Sequence, residues 1–271
     1  MKVAVVGASG LVGGHLYQHL RHCGHEVIGT FHSRPVAGMA AFDFSRPDDA
    51  LFRGCDAAVI CAAVSRLDRC VHDRVGARQV NVTGTIRLLE QLLEMEVTPV
   101  FISSDRVFDG RRGHYDEHDI ATPNTVYGGM KREVEVFLQS QGQDWLIFRL
   151  SKVYDRTGRE TGLYQDIVHA LQAGREVAAA FNQIFNPTNV TLICRAVEQA
   201  LVRGLRGLYH LADRRVLSRY EFACALAREV GADAGLVRPV DIATLPIVEN
   251  RPGNTSLKVA RLERCLGMTL Q

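Results

Sequence analysis

Apolar residues in this chain fall into short, nearly unbroken runs, separated by longer stretches in which they recur every three or four positions. The runs are "KVAVVG", "EVIGTF", "AAVICAA", "PVFISS" and "WLIFRLSKVY"; the helical recurrence covers residues 11–22, 75–95 and 127–139. Runs without polar alternation are strands covered on both faces, and strands alternating with helices at this spacing build βαβ units. The pattern therefore predicts an α/β fold, a doubly wound parallel sheet over residues 1–150.

Past "SKVY" the rhythm loosens. "DRTGRETG" reads as a polar loop, 163–173 as a helix, and "VAAAFNQIFNPTN" as a strand entering a proline-containing loop. Next come a helix over 190–203, the strand "GLYHLAD", and a helix over 218–230 with Ser218 as N-cap and Glu221 completing a capping box. Residues 151–271 are expected to form a smaller α/β lobe, with 189–212 returning to the first domain. No internal repeat or low-complexity segment interrupts this organisation.

Composition narrows the function classes. The chain has 271 residues, 46% hydrophobic and 23% charged, which suffices for a sizeable core. A net charge of +2 with scattered Lys and Arg excludes the basic footprint of a nucleic-acid or anionic-membrane binder. Seven cysteines show no CxxC or metal-finger spacing and are expected to be reduced thiols, mostly buried. The N-terminal apolar run breaks at Gly7 without a cleavage-site pattern, and no stretch approaches the ~20 apolar residues of a membrane span. A soluble cytoplasmic protein is expected.

Candidate chemistry begins in "VAVVGASGLVGGHL". Gly7, Gly10 and Gly13 follow the first strand and open the first helix, where glycines let a backbone approach a pyrophosphate and the helix N-terminus offers N–H groups. This Rossmann-type arrangement predicts dinucleotide binding. Where NAD binders carry an acidic residue at the end of the second strand, "EVIGTF" runs into His32, Ser33 and Arg34, a cationic set suited to a 2′-phosphate. NADP(H) is expected over NAD(H). Asp43 and Phe44 of "AAFDF" are placed near the adenine, and Cys61, Ala62 and Ala63 where small side chains admit the cofactor ribose.

Tyr127 and Lys131 in "VYGGMK" lie four apart, hence on one face of a helix, and an adjacent ammonium favours the phenolate. Ser103 and Ser104 end the strand "PVFISS", at the carboxyl edge where open α/β sheets bind ligands. One of these hydroxyls could hold a carbonyl oxygen; a turn closed with Asp105 is the alternative.

Glycine loop, strand-end Ser and Tyr-x-x-x-Lys in this order resemble the extended short-chain dehydrogenase/reductases. "SSDRVFDG", "ATPNTVYGGMK", "FRLSKVYD", "NPTNV", "GLYHLAD", "SRYEFACALARE" and "RPGNTSL" resemble the dTDP-4-dehydrorhamnose reductase (RmlD substrate-binding) branch, from Met1 to about Gly267. The resemblance implies an NADPH-dependent reductase of a nucleotide-linked keto-sugar. It implies Ser104 as catalytic Ser/Thr, Tyr127 as proton donor, and Lys131 as the lysine that binds the nicotinamide ribose and lowers the tyrosine pKa. Gly7, Ser9, Gly10, Leu11 and Val12 match the pyrophosphate loop with Gly13 behind them, and Val153 falls near the nicotinamide. Asn81 matches a family asparagine for which a structural role is expected, and Asn186 and Arg251 match segments lining the nucleotide-sugar site.

Two departures bear on substrate. The family commonly has Tyr after "S-[ST]-D" and Trp after "R-[TL]-S"; this chain has Arg106 and Lys152, both at positions that face the sugar. A more cationic, less aromatic pocket suits a substrate with an additional acidic group, unless both stems reach solvent. The chain stops soon after "RLERCLGM", so the terminal helix of many relatives is expected to be short or missing. His15 stands where some relatives have an acidic residue at a metal-linked dimer contact, so no metal is expected; a homodimer is left open. Two other readings stand beside the reductase. One is a non-catalytic regulatory subunit resembling the methionine adenosyltransferase β subunit. The other is a nucleotide-sugar epimerase or dehydratase, against which Arg106 counts, because the dehydratases have Asp-Glu where this chain has Asp105-Arg106.

Overall fold

The computed structural model describes residues 1–142, 144–157, 162–245, 249 and 252–271. Arg251 and the middle of the expected loop "DRTGRETG" lie outside the described residues. In chain order the first half runs β1 (Lys2–Val6), α1 (Leu11–His22), β2 (Glu26–Phe31), β3 (Met39–Ala41), β4 (Ala57–Ile60), α2 (Leu67–His72), α3 (Arg74–Arg78), α4 (Thr85–Glu94), β5 (Thr98–Ser104), α5 (Val126–Gln139) and β6 (Leu146–Leu150). Then come β7 (Val153–Tyr154), α6 (Leu163–Gln172), β8 (Val177–Ala180), β9 (Ile184–Phe185), β10 (Thr188–Asn189), α7 (Val190–Val202), β11 (Gly207–Leu211), β12 (Leu217–Ser218), α8 (Arg219–Glu229), β13 (Val237–Val240) and α9 (Ala260–Leu266).

Seven strands form one sheet in the order β11-β6-β5-β4-β1-β2-β3, every neighbouring pair parallel. The unbroken apolar runs are explained by which way alternate side chains point. Val3, Val5, Ala57, Val59, Val100, Leu146 and Phe148 join one core with Leu16 and Leu20 of α1 and Ile193 and Val197 of α7. Their neighbours Ala4, Val6, Ala58, Ile60, Phe101 and Ile147 join a second core with Leu88, Leu89 and Leu92 of α4 and Val134 and Leu138 of α5. Helices thus cover both faces, the Rossmann-type arrangement expected. Each such leucine contributes about 1.5–3 kcal/mol by leaving water.

The helices follow their sequence spacing. In α1 the buried set is Gly13, Leu16, Tyr17 and Leu20, and in α4 it is Thr85, Leu88, Leu89 and Leu92, each a single stripe. Ser218 and Glu221 form the expected capping box on α8. Residues 75–95, however, are not one helix. A π-helical turn over Gln79–Gly84 separates α3 from α4, and Asn81 inside it is buried. Its amide accepts from the Val64 N–H at 2.8 Å and donates to the Val64 carbonyl at 2.9 Å, anchoring the loop after β4. That is a structural role for Asn81, as expected.

Beyond β6 the short pairs β7 with β10, β9 with β12, and β8 with β13 surround a third core that includes Tyr154, Ile167, Leu171, Phe185, Phe222 and Leu226. The chain also re-enters the main sheet: β11 pairs with β6 from Gly207↔Leu146 to Leu211↔Leu150. The last helix among the described residues, α9, is seven residues long. The cysteines are free thiols, four buried, Cys61 half-buried, Cys23 and Cys265 exposed. No helix among the described residues is long and apolar enough to cross a membrane.

Candidate active site

A cleft of about 530 Å³ runs along the carboxyl ends of β1, β4, β5 and β6. At one end stands the glycine loop. Gly7 has φ +85°, and a Cβ there would stand 2.7 Å from the Ala62 Cβ; one at Gly13 would stand 2.2 Å from the Gly7 carbonyl oxygen. The loop is therefore folded as tightly as glycine permits, against the end of β4. α1 begins at Gly10 with no side-chain cap and no acidic residue in its first turn, so its leading N–H groups remain available to an anion. Ser9, Leu11 and Val12 line the cleft with Gly7, Gly10 and Gly13, as do Cys61, Ala62 and Ala63. This turn, which a Cβ at Gly7 or Gly13 would force open, fits the pyrophosphate of a dinucleotide.

At the other end β5 delivers Ser104 and α5 delivers Tyr127 and Lys131. Thr125 caps α5, its hydroxyl accepting from the Gly128 N–H at 3.0 Å. The inward stripe of α5 is Lys131, Val134, Glu135 and Leu138, so two ionisable residues stand at core positions. Lys131, 3% exposed, donates to the Ile102 carbonyl at 2.8 Å and sits over the Phe101 and Tyr127 rings. Burial pushes its pKa down to about 8. Glu135, 0% exposed, accepts from Arg149 Nε at 2.9 Å and Nη2 at 2.8 Å and from the Ser103 hydroxyl at 2.6 Å, tying α5 to β5 and β6 beneath the site. Of the two strand-end serines, Ser103 is thus spent on the scaffold.

Burial also moves the Tyr127 phenol, upward, with the nearby Cys70 and Asp105 adding to it and Arg106 opposing. The expected lowering by Lys131 is not met in this chain alone, because desolvation dominates and Lys131 is itself pushed toward neutrality. Ser104 donates to Asp105 Oδ1 at 3.0 Å and accepts from the Arg106 N–H at 3.2 Å, which also makes it the cap of the short turn Asp105–Val107. Both readings of this serine, turn closure and a place in the cleft, hold together.

Among the other expected site residues, His32, Arg106, Lys152 and Val153 line the cleft. Ser33 and Arg34 lie exposed beyond His32, outside the lining. Asp43 is also outside it, its exposed carboxylate held below the usual range by the Ser45 N–H it accepts at 2.8 Å. The Phe44 side chain belongs to the core, edge-on to Phe42 and pressed against the π-helical turn at Gly84, and does not line the cleft. Asn186, expected at the nucleotide-sugar site, also stands outside the lining. It is 0% exposed, donates to the Asp213 carbonyl at 2.8 Å and that of Leu257 at 3.3 Å, and accepts from the Leu257 N–H at 2.8 Å, leaving nothing for a substrate. Its motif marks a junction that holds the second lobe together.

Ser65, Ser151, Gln183, Phe185, Arg219 and Thr255 also line the cleft and were not singled out from the sequence. Arg219 carried a signal as the first residue after the Ser218 cap, and Ser151 and Thr255 lie within the motifs "FRLSKVYD" and "RPGNTSL"; the approach of Ser65, Gln183 and Phe185 to the sheet is a tertiary fact. His15, the position of the metal argument, pairs instead with Asp155 at 3.3 Å.

Comparison with known proteins places this arrangement. The family model described as RmlD substrate binding domain matches residues 1–271. A probable low-salt glycan biosynthesis reductase, Agl14 of Haloferax volcanii, is 30% identical over 98% of this chain and 93% of its own. The methionine adenosyltransferase 2 subunit beta of Bos taurus is 28% identical over 97% of this chain and 81% of its own. Among solved structures, a hypothetical dTDP-4-dehydrorhamnose reductase from Sulfolobus tokodaii superposes with a TM-score of 0.89 at 27% identity, over 99% of this chain and 96% of that one. With its whole length matched, and with the glycine cradle, strand-end serine and Tyr–Lys helix of that fold, the chain belongs to the RmlD substrate-binding-domain family.

Proposed function

We propose that this protein is an NADP-dependent oxidoreductase that reduces a keto group on a nucleotide-linked sugar. The observation that carries the reading is the joining of the glycine loop, Ser104, Tyr127 and Lys131 along one cleft. When bound, NADPH supplies the hydride. The glycine loop and the start of α1 hold its pyrophosphate, His32, Ser33 and Arg34 favour its 2′-phosphate, and Lys131 hydrogen-bonds its ribose. Tyr127 gives its phenolic proton to the developing alkoxide; its raised pKa keeps it protonated at neutral pH, as a donor must be. Ser104 orients the carbonyl by turning its hydroxyl proton from Asp105, whose other oxygen keeps the Thr255 and Ser151 hydroxyls at 2.6 and 3.4 Å. In this reading residues 1–150 carry the cofactor and 151–271 close over the sugar.

Loss of NADPH absorbance with a panel of nucleotide 4-keto-sugars tests the proposal, with NADH as comparison. Turnover with at least one member, faster with NADPH, is the expected result. No turnover with any, together with co-purification of a methionine adenosyltransferase, would replace it with the regulatory reading suggested by the Bos taurus relative.

A further inference from the structure

Arg106, at the reacting end of the cleft, is a cation without an ion-pair partner among the described residues. It is half-buried, and its Nη1 is sealed from solvent with no hydrogen-bond partner among the described residues. The adjacent carboxylate, Asp105, does not serve it: Asp105 is 5% exposed and takes the Ser104, Ser151 and Thr255 hydroxyls instead. That nitrogen forfeits hydration without recovering it from the protein, a cost that an incoming anion would offset.

The backbone from which the Arg106 side chain enters the cleft is fixed. The Arg106 N–H bonds to Ser104, and its carbonyl oxygen packs on α5 so closely that a Cβ at Gly128 would stand 2.0 Å away. Arg106 is thereby held between Ser104 and Tyr127, at the far end of the cleft from the glycine loop that fits the cofactor's phosphates. The charges around it agree. Arg106, Lys131, Lys152 and Arg219 line the cleft, while Asp105 is its one carboxylate among the described residues.

The geometry points to a substrate that bears a carboxylate on the sugar ring beside the reacting carbon, received by the Arg106 guanidinium. This inference rests on the nucleotide-sugar reading and narrows its substrate class from neutral deoxy-sugars to acidic ones. A planar fork matches a carboxylate with two parallel N–H bonds, which a tyrosine at this position could not offer.

Calorimetric titration of the full chain saturated with NADP⁺ reads the inference directly, using nucleotide sugars paired to differ only in a 6-hydroxymethyl or a 6-carboxylate. UDP-glucose against UDP-glucuronate and GDP-mannose against GDP-mannuronate are suitable pairs. The acidic member is expected to bind about ten-fold tighter in at least one pair, the increment of a charge-assisted bidentate contact. Arg106→Gln should bring the ratio close to one and Arg106→Lys should keep part of it, with melting curves verifying that both variants fold. Equal affinities in the unmodified chain, or an Arg106→Gln variant that weakens both members alike, would overturn the inference; the second outcome would give Arg106 to the diphosphate. Binding of no nucleotide sugar would overturn the underlying reading and the inference with it.

Discussion

The Arg106 carbonyl oxygen rests against Gly128, leaving no room for even a methyl group between the strand-end turn and the first turn of α5. This contact sets how far Ser104 stands from Tyr127. Gly128→Ala should force the turn and helix apart and lower kcat by about 10²-fold, the scale of a 1 Å misplacement. Gly129→Ala, where a Cβ meets nothing within 4 Å, should leave kcat unchanged and stabilise α5 by roughly 0.5–1 kcal/mol. Steady-state NADPH oxidation and thermal melting of the two variants check the contrast.

Tyr127→Phe removes the proposed proton donor while preserving the ring. Reduction should fall by about 10²–10⁴-fold with NADPH affinity nearly unchanged, as measured by quenching of protein fluorescence. Full turnover in the variant would take Tyr127 out of the mechanism.

Lys131 has a folded pKa of about 8 against 10.5 for the free side chain, so below pH 8 the fold carries a buried ammonium at a cost. Between pH 8 and 10.5 the unfolded chain binds more protons than the folded one, and this contribution to stability therefore rises with pH. Lys131→Met, which keeps the volume, should melt several degrees higher than the unmodified chain at pH 7. The gap should close as pH climbs from 8 to 10.5. A gap independent of pH would mean that the lysine is not buried as an ammonium.

Glu135 and Arg149 form a pair with 0% and 2% exposure under the catalytic elements. Glu135→Ala strands the guanidinium and should cost about 3–5 kcal/mol, lowering the melting temperature by on the order of 10 °C. The double change Glu135→Leu with Arg149→Met should recover most of that loss, because it leaves no buried charge unpaired; Arg132, which also reaches Glu135 at 3.2 Å, is partly exposed and can turn to water. Melting of both variants decides.

The sheet, its helices and the glycine loop were legible because parallel strands demand unbroken apolar runs and because a loop against a pyrophosphate admits little but glycine. Tyr127 and Lys131 were legible from a spacing of four. What the sequence hid depends on contacts between distant segments. Asn186 and Phe44 look like ligand residues by position, yet Asn186 spends its amide on Asp213 and Leu257, and Phe44 fills the gap left by Gly84. The break in the 75–95 helix was hidden too, since a π-helical turn retains the helical recurrence and is set by Asn81 reaching Val64. Burial of Tyr127 and Lys131 inverted a pKa expectation that counted charge alone.

The return of β11 to the main sheet has a consequence for biosynthesis. Leu146–Leu150 is synthesised as an apolar strand whose outer partner, Gly207–Leu211, emerges from the ribosome roughly sixty residues later. Until then the all-apolar β6 is itself the outer strand of the nascent sheet, able to pair with another nascent chain. Emergence of residues 207–211, rather than completion of the first 150 residues, is thus the point at which the wholly buried β6 becomes an interior strand and passes its outer place to β11.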